Sequence, residues 1–195
     1  MSTINRKDLL PNIIPEPSDF LIVSGLAGAS KDTAGLTDDG ANLFTMAGAM
    51  GSTVAMGLGV ALAAPKESIL AVAGDGELMM GIGSLATVAS MMPENYTIIC
   101  IDNGMHAETG GQLGHTSRRT NLAVMADGAG IPSILEISSP NQFLEAANFI
   151  ADAPGPRFLW ARVTTDPPTA YKRDFNLAVR RQIFRCAFLK EKQVY

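Results

Sequence analysis

Charge is scarce in this 195-residue chain, and cysteine and tryptophan are scarcer: 17% of residues are charged, two are cysteine and one is tryptophan. Each scarcity excludes something. Cys100 and Cys186 stand too far apart for a metal knuckle or an iron–sulfur cluster, and Cys100 falls in an apolar strand pattern, where a thiol is a small buried hydrophobe. No disulfide framework is implied. A net charge of −4 leaves no basic footprint for nucleic acid. The most apolar stretch, residues 53–64, stops at Pro65 and is too short to cross a bilayer, so no membrane partner is expected. The first residues lack the apolar core of a secretory signal, which points to the cytoplasm. What is present is 47% hydrophobic residues without repeats or low-complexity tracts, enough to bury the core of one domain.

Short apolar runs alternate with helical patterns, as a parallel sheet covered on both faces requires. The pattern predicts strands over 20–24, 43–45, 69–73, 96–102, 133–137 and 157–163. The clearest helices fall over 49–64, 77–91, 121–130, 140–151 and 173–190. Pro11, Pro15 and Pro17 make residues 1–19 an extended lead-in to a single domain over 20–195. The expected fold is therefore α/β, a doubly wound, mostly parallel six-stranded sheet with helices on both faces.

Such a sheet binds ligands at the carboxyl ends of its strands. Two strands end there in polar residues that reach a cation: Asp75, within Gly74-Asp75-Gly76, and Asn103, after the run Tyr96–Asp102. One crossover helix separates them. A diphosphate-bound magnesium ion keeps octahedral oxygen coordination and takes one or two carboxylates from protein. Asp75 supplies the carboxylate, Asn103 a side-chain carbonyl, and the backbone carbonyl of Met105 a third oxygen. Gly76 lets the backbone approach phosphate without a Cβ in the way, and the helix that follows offers unpaired N–H groups. A lone Gly-Asp-Gly is more often a turn; its place between a buried strand and a helix, with Asn103 at the next edge, favours the metal. Two other strings are rejected. Gly81-Ile82-Gly83-Ser84-Leu85-Ala86 has dinucleotide-fingerprint spacing but lies inside a helix, and residues 25–32 miss the P-loop pattern at Ser30 and Asp32.

The pattern Gly74-Asp75-Gly76 followed by Asp102-Asn103 resembles the thiamine-diphosphate motif of the decarboxylase and acetolactate synthase superfamily. Residues 23–32, Gly48–Gly51, Leu85–Val88, Pro93–Asn95 and Glu108–Gln112 extend the likeness to the family of phosphonopyruvate decarboxylase and the beta subunit of sulfopyruvate decarboxylase, over roughly residues 20–165. The resemblance implies the thiamine-diphosphate-binding fold, thiamine diphosphate and Mg2+ as cofactors, and release of carbon dioxide and an aldehyde from a small anionic 2-oxo acid. It implies that the Gly48 carbonyl and Met50 N–H bond the aminopyrimidine edge while the Met50 side chain wedges between the cofactor's rings. Gly25, ending a third strand, joins Asp75, Gly76, Glu77, Asn103 and Met105 around the diphosphate.

Two residues depart from the family. Glu77 stands where relatives carry a small residue, and its charge at a phosphate-binding helix start opposes the diphosphate, although an acid there also suits the helix dipole. Asp102 replaces the first Asn of the usual pair, and strand alternation directs it away from the metal. His106 and His115 sit in the glycine-rich segment 104–120, a length of loop that is uncommon without a function. His106 is nearer the metal edge and is the candidate for a proton relay; Arg118 and Arg119 are candidates for attracting an anion. The family's pyrimidine-binding domain, whose Glu activates the cofactor, is not matched. The resemblance therefore implies a pyrimidine-binding alpha subunit as partner, docked on the apolar 49–64 helix. A carboligase of acetolactate synthase type and a non-catalytic regulatory subunit are the alternatives.

Overall fold

The computed structural model describes residues 2–189. Six parallel strands form one sheet in the order β2-β1-β3-β4-β8-β7, with β1 at Phe20–Ser24, β2 at Leu43–Thr45, β3 at Ser68–Gly74, β4 at Tyr96–Asp102, β7 at Ser133–Ile137 and β8 at Arg157–Arg162. Four of the six coincide with the predicted spans; β3 is longer by one residue at each end, and β8 is shorter by one at its carboxyl end. Between β4 and β7 a small hairpin pairs β5 (Met105–His106) with β6 (Gln112–Leu113).

The strands are buried on both faces, which is why they read as continuous apolar runs. Along β4, Tyr96, Ile98 and Cys100 belong to one core, and Ile99 and Ile101 to the other. The first core is closed by α3 (Thr53–Ala63), α4 (Asp75–Met80), α5 (Ser84–Met91), α6 (Leu122–Ala129) and Phe184 of α8 (Leu177–Phe188). The second is closed by α1 (Arg6–Ile13), α2 (Ala27–Thr37) and α7 (Phe143–Asp152). Among the described residues no helix is long and apolar enough to cross a membrane.

Three expectations need correction. The lead-in over 1–19 is not extended: Arg6–Ile13 is helical despite Pro11. Asn5 caps it by accepting the Lys7 N–H at 3.0 Å, and burial of Leu9, Leu10 and Ile13 outweighs the hydrogen bond that Pro11 removes. The last helix begins at Leu177 rather than Arg173, and Lys190 lies outside the described residues. Its buried residues are Arg180, Phe184 and Cys186, whereas Phe175 and Val179 are exposed. Arg180 donates to the carbonyls of Gly40 and Leu43 at 2.7 and 3.0 Å and so ties the helix to β2.

The third correction bears on the site. The single helix expected over 77–91 is two, α4 and α5, separated at Gly81–Gly83. Gly81 crosses the backbone of Gly51 so closely that a Cβ on it would lie 1.9 Å from the Gly51 carbonyl oxygen, and Gly51 itself has φ +80°. This crossing fixes the segment before α3, so α3 starts at Thr53 rather than Ala49. Gly81→Ala is expected to lower stability by about 1–3 kcal/mol, because backbone rather than a flexible side chain must yield. Urea unfolding checks it; an unchanged midpoint would show that the crossing tolerates a methyl group.

Candidate cofactor site

From β1 the chain moves to β2 on one side and, after α3, to β3 on the other. The order reverses between β1 and β3, and a crevice opens outside their carboxyl ends. A cavity of about 170 Å³ fills it, lined from the β1 side by Leu26–Ala29, from the β3 side by Gly74–Glu77 and from β4 by Asn103, Met105 and His106. Asp75, Gly76, Glu77, Asn103, Met105, His106 and Met50 are thus brought together as expected.

Asp75 opens α4 and is only 5% exposed. Burial, reinforced by the nearby Asp102 charge, pushes its carboxyl up to about 7; hydrogen bonds from backbone N–H groups and Thr116 offset part of this. No cation of the chain pairs with it among the described ion pairs. A buried carboxylate so placed is costly until a positive charge arrives, and a hard divalent ion supplies one. Asn103 is fixed by its own turn, its Oδ1 accepting the Met105 N–H at 3.2 Å. Among the described residues no three His, Cys, Asp or Glu side chains converge as a metal cage. One carboxylate with neutral oxygens is the donor set of an ion that takes its remaining ligands from phosphate and water.

Asp102 is buried and off the cavity lining, yet it is part of the site's support. Its Oδ1 accepts the Gly104 N–H at 2.7 Å and the Thr116 hydroxyl at 2.8 Å, and its Oδ2 accepts the Trp160 indole N–H at 2.8 Å. Thr116 also lies 3.4 Å from Asp75 Oδ2, so one hydroxyl stands between the two carboxylates. Segment 104–117 folds back on itself through the Gly114 N–H bond to the Gly104 carbonyl at 2.7 Å, and Gly114 packs against Asp75. Neither Thr116 nor Trp160 stood out in the sequence, because nothing local marks a residue that acts through a partner 14 or 58 positions away.

Glu77 does not confront the cavity with its charge as its position suggested. Its carboxylate turns to the β1 edge, where one oxygen accepts the Leu26 N–H at 3.3 Å and the other the Thr53 hydroxyl. Burial raises its pKa, and those two bonds hold it back. The same carboxylate fills the hollow above Gly25, where a Cβ would lie 1.6 Å from Oε2. Gly25 is therefore a correction: it is buried under Glu77, its N–H is bonded to the Val72 carbonyl at 2.9 Å, and the cavity is lined by the next four residues instead. Gly48 is exposed and off the lining, whereas Met50, 42% exposed, is on it. His106 lies against Gly76, its Nδ1 2.9 Å from where a Cβ would stand. His115, Arg118 and Arg119 are exposed and share a surface hollow outside the cavity. Arg6, Ala27, Gly28 and Pro168 line the cavity unforeseen.

The backbones of Gly76 and Gly28 are overlain by the His106 and Arg6 side chains, which border this space, and α2 has no side-chain cap on its first N–H groups. An anionic ligand bridged by a metal fits that combination. Comparison with known proteins agrees. The family described as "Thiamine pyrophosphate enzyme, C-terminal TPP binding domain" matches residues 34–160. The beta subunit of sulfopyruvate decarboxylase from Methanocaldococcus jannaschii is 36% identical over 130 residues, covering 66% of this chain and 68% of that protein. Phosphonopyruvate decarboxylase from Streptomyces viridochromogenes is 36% identical over 140 residues, 72% of this chain but 34% of that protein, so the chain spans about a third of its length. The fold is shared with the X-ray structure of an enzyme from Mycobacterium smegmatis described as thiamin diphosphate-dependent, at a TM-score of 0.69, 18% identity and coverage of 83% of this chain and 32% of that one. The chain belongs to the thiamine pyrophosphate enzymes, as a member of their C-terminal, cofactor-binding domain family.

Proposed function

We propose that this chain is the beta subunit of a thiamine-diphosphate-dependent decarboxylase acting on a pyruvate that bears an acid group, sulfonate or phosphonate, at C3. The observation that carries the reading is the buried, cation-less Asp75 beside Asn103 at the switch point of the sheet, in a chain similar to sulfopyruvate decarboxylase beta subunits. When bound, thiamine diphosphate supplies the nucleophilic carbon and the electron sink for loss of carbon dioxide. The chain supplies position and field. Asp75, Asn103 and the Met105 carbonyl would hold Mg2+, with Gly76 bordering the diphosphate end. Met50 buttresses the ring end, and Gly48, on the exposed turn beside it, meets the pyrimidine edge. His106, packed on Gly76 at the cavity, would serve as the proton relay.

The activating carboxylate comes from a pyrimidine-binding alpha subunit. The outer face of α3 supports that assignment: Val54, Leu58 and Ala61 pack on the sheet while Met56 and Leu62 remain exposed. Reconstitution with the pyrimidine-binding subunit and a screen of 2-oxo acids for carbon dioxide release tests the proposal. Aldehyde from a C3-acid pyruvate is expected. Acetoin-like products would mark a carboligase, and cofactor retention without turnover would mark a regulatory subunit.

A further inference from the structure

Three acidic residues line the cavity, Asp75, Glu77 and Glu108, and only one arginine or lysine, Arg6. A diphosphate brings further negative charge into this space, so the position of that cation matters. Arg6 opens α1, with its side chain 7% exposed. Its Nε and Nη2 grip Asp32 Oδ2 at 2.9 and 2.8 Å, and Asp32 Oδ1 accepts the Thr169 N–H at 2.8 Å. Both oxygens of Asp32 are thereby engaged, and the guanidinium is locked between α1, α2 and the segment after β8.

The Nη1 edge is different. It has no protein hydrogen bond among the described residues, yet it is not an enclosed orphan, since among them only Arg173 has such an atom. Arg6 itself lines the cavity. The guanidinium lies directly over Gly28, where a Cβ would stand 2.4 Å from Nη2 and 2.8 Å from Nη1. Gly28 is in the first turn of α2, an 11-residue helix without a side-chain cap. Guanidinium donors and free helix N–H groups therefore address the same space at the end of β1. The metal pair stands at the ends of β3 and β4, and β1 adjoins β3. Neighbouring strands are about 4.8 Å apart, a step that a two-phosphate group spans.

We propose that Arg6, held by Asp32, binds the terminal phosphate of the diphosphate whose other oxygens meet the metal at Asp75. The inference rests on the cofactor reading above and adds to it a residue outside the metal motif. A charge-assisted arginine–phosphate contact of this kind contributes about 30-fold in affinity. The other tetrahedral oxyanion available is the acid group of the substrate, and the test separates the two.

The experiment is calorimetric titration of the full chain, in excess magnesium, with thiamine diphosphate and with thiamine monophosphate. Arg6→Met should weaken the diphosphate about 30-fold and the monophosphate less than about threefold. Arg6→Lys should recover part of the loss, since it restores the charge but not the fork. The Arg6→Met/Asp32→Asn pair guards against misfolding, because no unpaired charge is left buried; it should repeat the Arg6→Met result with a cooperative thermal transition. Equal losses for both ligands, or no loss in a folded variant, would overturn the proposal. So would an unchanged diphosphate affinity accompanied, in the complex reconstituted with the alpha subunit, by a raised KM for a C3-acid pyruvate but not for pyruvate. That result would assign the guanidinium to the substrate. A wild-type chain that binds neither thiamine phosphate would instead sink the cofactor reading and this inference with it.

Discussion

Asp75→Ala is expected to weaken magnesium-dependent binding of thiamine diphosphate by about a hundredfold or more while making the free chain more stable. Removing the single carboxylate ligand costs the metal at least as much as removal of a supporting partner does, which is about 10- to 100-fold. Stability moves the other way for a separate reason. The folded chain holds this carboxyl at about 7, well above its ordinary range, so folding works against its ionised form. Stability from this group is fully present below the unfolded pKa near 4 and is lost as pH rises through about 7. At pH 8 the wild-type chain carries the whole penalty and the variant does not. A rise in Tm of about 5 °C at pH 8, shrinking to nothing by pH 4, is the expected signature. Calorimetric titration and thermal unfolding read the two effects. A variant that loses affinity and stability together would mean that Asp75 is a structural residue.

The second large effect is on pH itself. A metal that coordinates Asp75 displaces its proton, so binding is coupled to ionisation. Above pH 7 the affinity for magnesium and cofactor should be flat, and below it should fall about tenfold per unit, reaching about a hundredfold at pH 5. About one proton should be released on binding at pH 5.5 and almost none at pH 8.5, which titration in buffers of different ionisation enthalpy measures. A flat profile across this range would show that the carboxylate is already ionised in the free chain or does not meet the metal.

The strands were legible because burial on both faces leaves continuous β-branched and apolar runs bounded by Pro, Gly and Asn, and Gly74-Asp75-Gly76 was legible because it follows one such run. Helix α1 was hidden because its sequence speaks against it: Pro11 lies inside, and only the tertiary burial of Leu9, Leu10 and Ile13 holds it. The break at Gly81 was equally hidden, since the apolar period continues through it and the cause, the crossing of Gly51, is a contact between distant backbones. At the site, the residues named in advance are those with a local signature. Those missed are Arg6, which lines the cavity from α1, and Thr116 and Trp160, which act on the site through Asp75 and Asp102. Glu77 was noticed but its direction was not, because the empty hollow over Gly25 that receives it exists only after β1 and β3 pair.

The central claim is that Asp75 and Asn103 together hold a magnesium ion that anchors the diphosphate. A crystal structure of the chain grown with magnesium and thiamine diphosphate tests it most directly. The account predicts one octahedral ion about 2.0–2.1 Å from a carboxylate oxygen of Asp75 and from Asn103 Oδ1, with phosphate oxygens completing its shell. An ion bound elsewhere, or a diphosphate seated away from the crevice between β1 and β3, would contradict it.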